Sequence, residues 1–220
     1  MIYYKIRTDY DPKTTGKRDG AFTVIKNRKS FETKEQEQIF NKFFVENYKN
    51  RNRVSYNSFV SWDCSQSFPI TYFPRTTKIK ENDFMAYGPY EHGIAFMISK
   101  RTYDILSHYS LPIHYAIPVK IASFIQNFVL LGLPVLDSDN IDFESSIFYK
   151  YGKRINYDSV QEYISDKGPV ITKSLRLKCR IQDDVVHTTE GIFLSQRILM
   201  EFEQKGITGF IVSETTLETD

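Results

Sequence analysis

Between Gly191 and Glu214 the chain reads GIFLSQRILMEFEQKGITGFIVSE, a strand, a capped helix and a returning strand with a signal at each boundary. Such a unit constrains the fold, because a helix with one apolar stripe and a strand on either side must lie on a sheet. Ser195 stands where an N-cap belongs, its hydroxyl placed to accept from a backbone N–H that the first helical turn leaves unpaired. Ile198, Leu199 and Phe202 then share one face, and Gly206 can close the helix in the left-handed conformation. Ile207, Phe210 and Ile211 begin the return. The same grammar occurs 96 residues earlier, where Phe96, Met97 and Ile98 lead into Ser99 and Arg101 as Ile192, Phe193 and Leu194 lead into Ser195 and Arg197. Tyr103, Leu106 and Tyr109 supply that helix's stripe, and Leu111, Ile113, Tyr115 and Ile117 its return. Pro112 and Pro118 predict that this second strand is irregular or at an edge. The pair suggests a duplicated strand-helix-strand unit, against two separate uses of a common motif.

The remaining chain supplies more strands and one further helix. Residues 2–8 and 21–25 read as short strands around a polar, mobile turn, DPKTTGKRDG. Thr33 with Gln36 forms a capping box, and Ile39, Phe40, Phe43, Phe44 and Tyr48 give the helix that follows an apolar stripe. SFVSWDC, residues 58–64, reads as a strand, with Phe68 to Pro74 and KIKEND as an irregular connector. A strand is expected over Phe128 to Leu136, then an acidic turn, then Ile141 to Phe148 and a short helix within 155–165. In LRLKCRI, Leu175, Leu177, Cys179 and Ile181 alternate onto one face, so Cys179 reads as a small buried hydrophobe. The expected class is α+β, a mixed sheet with Ser-capped helices packed on it. Residues 1–90 would form an N-terminal lobe and 91–220 a C-terminal one, unless the two make a single continuous domain. Thr33, Ser99 and Ser195 are the expected caps.

At 220 residues the chain can bury a core without disulfide or metal support. Cys64 and Cys179 form no CxxC, and His92, His108, His114 and His187 form no HExxH, so no metal site is expected. No G-x-S-x-G surrounds Ser145, and Asp142 and Ser145 read as caps of a turn; Gly88, Gly93 and Gly132 belong to no phosphate-cradling loop. The expectation is a non-enzymatic protein with no catalytic residues and no cofactor, with an uncharacterised enzyme as an alternative. MIYYKIRTDY lacks the apolar stretch of a signal peptide, and no apolar run reaches the roughly 20 residues of a membrane span, so a cytoplasmic chain without membrane contact is expected.

Charge is unevenly spread. Residues 1–80 hold 16 Lys and Arg against 8 Asp and Glu, and residues 81–220 hold 13 against 19, so a +8 part precedes a −6 part. Such a chain either steers a charged partner or neutralises itself between lobes. Lys49, Arg51 and Arg53 between Tyr48 and Tyr56 offer an alternative reading, a single-stranded nucleic-acid patch acting through charge and stacking. Cations near a helix C-terminus equally serve the helix dipole.

Three stretches carry a resemblance to a known family: Ile98 to Leu106, then Ile141, Asp142 and Ser145, then LRLKCRI followed by Ile192 to Phe210. Over about residues 90–215 the chain resembles bacterial polymorphic-toxin immunity proteins of the immunity-protein-eleven type, formerly a domain of unknown function. Leu175 and Lys178 depart from the Phe-Arg-Leu that the family pattern carries there. The resemblance implies a protein that binds and neutralises a cognate toxin. A nuclease toxin would be basic, which points to Asp137, Asp139, Asp183 and Asp184 as the partner-binding residues.

Overall fold

A computed structural model describes residues 1–18, 22–46, 54–63 and 68–219. In chain order its elements are β1 (Ile2–Thr8), α1 (Pro12–Thr15), β2 (Val24–Ile25), α2 (Lys34–Phe44), β3 (Ile70–Pro74), β4 (Phe84–Met85), β5 (Tyr87–Gly88), β6 (Ile94–Ser99), α3 (Lys100–Leu106) and β7 (Tyr115–Ile121). There follow β8 (Asn127–Gly132), β9 (Ile141–Lys150), β10 (Lys153–Ile155), α4 (Val160–Ser165), β11 (Val170–Leu177), β12 (Val185–Thr188), β13 (Gly191–Ser195), α5 (Gln196–Gln204) and β14 (Phe210–Glu218). The fold is α+β, built on two seven-stranded sheets.

The sheets correspond strand for strand. One runs β4-β6-β8-β7-β3-β2-β5 and the other β12-β13-β1-β14-β11-β9-β10. In both, the first three pairings are antiparallel, the fourth is parallel and the fifth antiparallel; only the last differs, parallel for β2 with β5 and antiparallel for β9 with β10. Each Ser-capped helix therefore crosses between two parallel strands that flank a third: β6-α3-β7 over β8, and β13-α5-β14 over β1. In the first sheet a hairpin joins β7 to the central β8. In the second the central strand is the N-terminus itself, where the Met1 amine donates to the Thr219 carbonyl at 2.5 Å. Residue 90 lies within the span of the first sheet, whose strands run from Val24 to Gly132.

Three apolar clusters hold this arrangement. The central one takes Ile6, Ile192 and Leu194 from one sheet, Phe96, Ile98 and Leu131 from the other, and Leu106, Ile198 and Phe202 from the helices, so both sheets form one packed unit. α2 places Phe40 and Phe44 with Trp62, Ile70 and Tyr72 beneath the first sheet. Phe148, Phe193, Leu217 and Tyr157 cover the far face of the second. Gly209 marks where the halves touch most closely: its φ is +84°, and a Cβ there would lie 2.4 Å from the Phe84 carbonyl oxygen.

Thr33 caps α2 through the Gln36 N–H at 3.3 Å, while the Gln36 side chain accepts from Glu32 N at 2.9 Å, one residue before the cap. Ile39 is exposed, so the stripe narrows to Phe40, Phe43 and Phe44; Tyr48 lies outside the described residues. The turn DPKTTGKRDG holds α1, capped by Asp11 and closed by Gly16 in the left-handed region, where a loop was expected. Residues 58–63 form no strand, only a 3₁₀ turn over Tyr56–Ser58, and Cys64 lies outside the described residues. The presumed connector contains β3, whose Ile70 and Tyr72 are fully buried against β7. β7 is interior rather than an edge. Its pairing with β3 starts at Val119, so on that side Pro118 faces no strand that would need its missing donor. Cys179 is exposed, because pairing of β9 with β11 ends at Leu177 and the alternation no longer has a sheet to obey.

Candidate protein-binding surface

Two buried carboxylates organise the junction of the halves. Asp83, just before β4, accepts from Ser99 Oγ at 2.7 Å, from Arg101 Nε and Nη2 at 2.6 Å each, and from the Thr208 N–H at 2.9 Å and hydroxyl at 3.1 Å. Asp184, just before β12, accepts from Ser195 Oγ at 2.7 Å, from Arg197 Nε at 2.5 Å and also Nη2, and from the Ser110 N–H at 3.1 Å. Each carboxylate thus binds the serine and arginine of its own half and a backbone N–H of the other half. Burial pushes both carboxyls up, and the arginine, serine and backbone hydrogen bonds reverse it, leaving both below the ordinary aspartate range.

This removes Asp184 from the expected partner surface, since it is fully buried and spoken for. It also corrects the role of Ser195. Ser99 accepts from the Thr102 N–H at 3.2 Å as a cap should, but Ser195, though at the N-cap position, makes no side-chain cap bond and turns its hydroxyl to Asp184. Asp83 was missed from the sequence. The pattern that marks both sites is an aspartate followed by two apolar residues, Asp83-Phe84-Met85 and Asp184-Val185-Val186, with Ser-x-Arg following.

Of the other three acids, Asp137 and Asp183 meet at the Ser55–Tyr56 turn, and Asp139 lines a separate cleft. The chain after β8 is pinned between the Tyr56 turn and β12: Tyr56 N donates to Val135 O at 2.9 Å and Leu136 N to His187 O at 2.7 Å. This fixes Asp137, whose carboxylate accepts from Ser55 Oγ at 2.9 and 2.7 Å. Asp183 accepts from Ser110 Oγ and Tyr56 OH, both at 3.0 Å, and its carbonyl from Tyr3 OH at 2.9 Å. Burial and the bond to Asp183 raise the Tyr56 hydroxyl above its ordinary range. Tyr56, Asn140, Cys179, Arg180 and Asp183 line a cleft of about 440 Å³. Lys178 N donates to Asn140 O at 2.9 Å, and a second cleft of about 240 Å³ is lined by Asp139, Asp142, Glu144 and Asp158 with Lys178 as its single lining cation. Asp142 is held below its ordinary range by the Ser145 hydrogen bond that closes a bulge in β9.

The histidines stand apart. His187 lies on β12 with Nδ1 3.3 Å from Leu133 O, His114 lies against Tyr103, and His108 is in the turn after α3. No group of three or more metal-ligating side chains occurs among the described residues, and no described helix is long and apolar enough to cross a membrane. Lys49, Arg51 and Arg53, the alternative nucleic-acid patch, lie outside the described residues. Compared with protein-family models and with curated proteins, the chain matches none.

Proposed function

We propose that this chain is a non-enzymatic immunity protein of the cytoplasm that binds and neutralises a cognate toxin domain, docking a basic face of it on the acidic cleft of Asp139, Asp142, Glu144 and Asp158. The observation that carries this reading is the gathering of Asp139, Asp142, Glu144 and Asp158 in one cleft with a single lining cation, Lys178. Asp142 is already oriented by a backbone donor, so little of its side-chain entropy would be lost on docking. A field of one sign speeds encounter with a partner of the other, which suits a protein that must reach its toxin before the toxin acts.

The test is co-expression with the toxin domain encoded next to this gene. Rescue of growth and a recovered complex are expected, with Asp139→Lys combined with Glu144→Lys slowing association at least about tenfold at low salt and less at high salt. A toxin left fully lethal, with no complex recovered, would remove the proposal.

A further inference from the structure

The hairpin at the end of β9 has a tip that packing does not account for. Tyr151 and Gly152 alone join β9 to β10, with Lys150 opposite Lys153, and both linking residues have positive φ, +50° and +77°. A two-residue turn of that hand takes Asn or Asp and then Gly readily, whereas a bulky ring in its first position is strained. The Tyr151 side chain stands 78% exposed, with Lys150 Nζ 6.0 Å from the ring centroid. Tyr149, two residues earlier, lies on the middle strand of three, opposite Arg154 of β10 and Ile171 of β11. Directly opposed residues share a face, and Ile171 is 65% exposed, so this face of the sheet is open to water.

Charge gathers around the same tip. From Tyr149 to Arg154 there are three cations and no acid. Lys150 is taken up by Asp166, which also accepts from the Tyr157 hydroxyl at 2.8 Å and the Gly168 N–H at 2.9 Å. Gly168 abuts the same lysine, since a Cβ there would lie 2.2 Å from Lys150 Cε, so Lys167 sits between two residues that touch the hairpin. Lys153, Arg154 and Lys167 are exposed and form no ion pair among the described residues. Cations on a short edge strand guard against edge-to-edge pairing, which would account for Lys153 and Arg154. It accounts neither for an exposed ring in a strained turn beside them nor for Lys167, which comes from another part of the chain.

We infer that the tip of the β9–β10 hairpin binds single-stranded nucleic acid, with Lys153, Arg154 and Lys167 on the phosphates and Tyr151 stacked on a base. An acidic peptide would satisfy the cations alone. A partner that carries planar rings beside its charges also uses the tyrosine, and unpaired bases are the ones whose faces are free to stack. β9 runs from the acidic cleft at Asp142 and Glu144 to this tip, a polarity that repels a polyanion at one end and draws it to the other. The surface is separate from the proposed toxin contact and from Lys49, Arg51 and Arg53, and rests on neither.

The test is fluorescence anisotropy of the full chain with labelled mixed-sequence RNA and DNA single strands of about 12 nucleotides. One or both should bind, and log Kobs should fall against log salt between about 50 and about 200 mM with a slope of about −2, three cations at about 0.7 each. Tyr151→Asn, which suits the turn, should weaken binding about tenfold and leave the slope unchanged. Lys153→Gln/Arg154→Gln should instead cut the slope by about 1.4, and Asp139→Lys in the acidic cleft should not weaken binding. Urea midpoints check that the variants fold; if the double variant does not, Tyr151→Asn decides. Absence of salt-dependent binding, or affinity unchanged by Tyr151→Asn, would overturn the proposal. So would poly-glutamate competing as well as unlabelled strand at equal charge, which makes the tip a plain cation patch. Binding lost in Lys49→Ala/Arg51→Ala/Arg53→Ala but kept in the tip variants would also overturn it. Failure of the toxin reading appears instead in co-expression, and tip-dependent strand binding would survive it.

Discussion

Replacing Asp83 by Ala removes a side chain that is 1% exposed and accepts five hydrogen bonds. The cost is limited by what the abandoned donors can do. Ser99 keeps Thr102 Oγ1 at 2.9 Å, and the Arg101 side chain, 51% exposed, keeps the Gly206 carbonyl at 3.2 Å and can turn to water. With no charge stranded and the donors able to find other partners, the loss should be about 3 kcal/mol, well below the sum of five separate bonds to an ionised carboxylate. Arg101→Met does the reverse and strands a buried carboxylate, which should cost more, up to about 5 kcal/mol at pH 7. The two variants also differ in sign with pH. In the wild type the Asp83 carboxyl is depressed, so its contribution is present above its unfolded value and lost as pH falls through the folded one. Without Arg101 burial dominates and the carboxyl rises, so the Arg101→Met penalty should shrink on going from pH 7 to pH 5. Urea unfolding at both pH values reads this directly, provided the slope of the transition is unchanged. Arg101→Met no more costly than Asp83→Ala at pH 7, or a penalty flat with pH, would refute the reasoning.

Two further outcomes follow from the same geometry. Burial pushes His187 down to about 4 from 6.5, so between those values the unfolded chain binds the extra proton and stability falls with pH, by at most about 3 kcal/mol. Urea midpoints of His187→Gln should lack that acid-side slope, and a slope equal to the wild type's would clear His187 of it. A circular permutant that joins residue 220 to Met1 through a Gly/Ser linker and opens the chain in 122–126, where Ile125 is 95% exposed, should unfold cooperatively within about 2 kcal/mol of the parent. A molten or non-cooperative permutant would show that the β7–β8 turn and the paired termini are not equivalent positions.

The legible parts of the fold were those whose cause is local. A cap residue and an apolar stripe lie within a dozen positions of each other, so α2, α3 and α5 could be placed from sequence. β3 could not, because its partner is β7, about fifty residues on, and nothing in Ile70–Pro74 announces a parallel neighbour. Asp83 takes two of its bonds from Thr208, 125 positions away, and Asp184 one from Ser110, 74 away, so the Asp with its following Ser-x-Arg marks only the local part of each cluster and not the contact that joins the halves. Asp184 read as a surface acid because it stands beside Asp183 in a polar turn, yet one residue later β12 begins and its side chain points inward. Asp139 is exposed, whereas Asp137 and Asp183 are half-buried and meet at the Ser55–Tyr56 turn, which depends on the threading of residues 133–137 between two distant segments.

The correspondence of the halves separates what the fold needs from what one half alone has. The Asp, Ser-x-Arg and backbone N–H cluster occurs twice, buried both times, and each copy ties one half to the other; that repetition is accounted for by stability. The acidic cleft, by contrast, is built from residues that lie in chain between β8 and β12 and has no counterpart in the shared cluster.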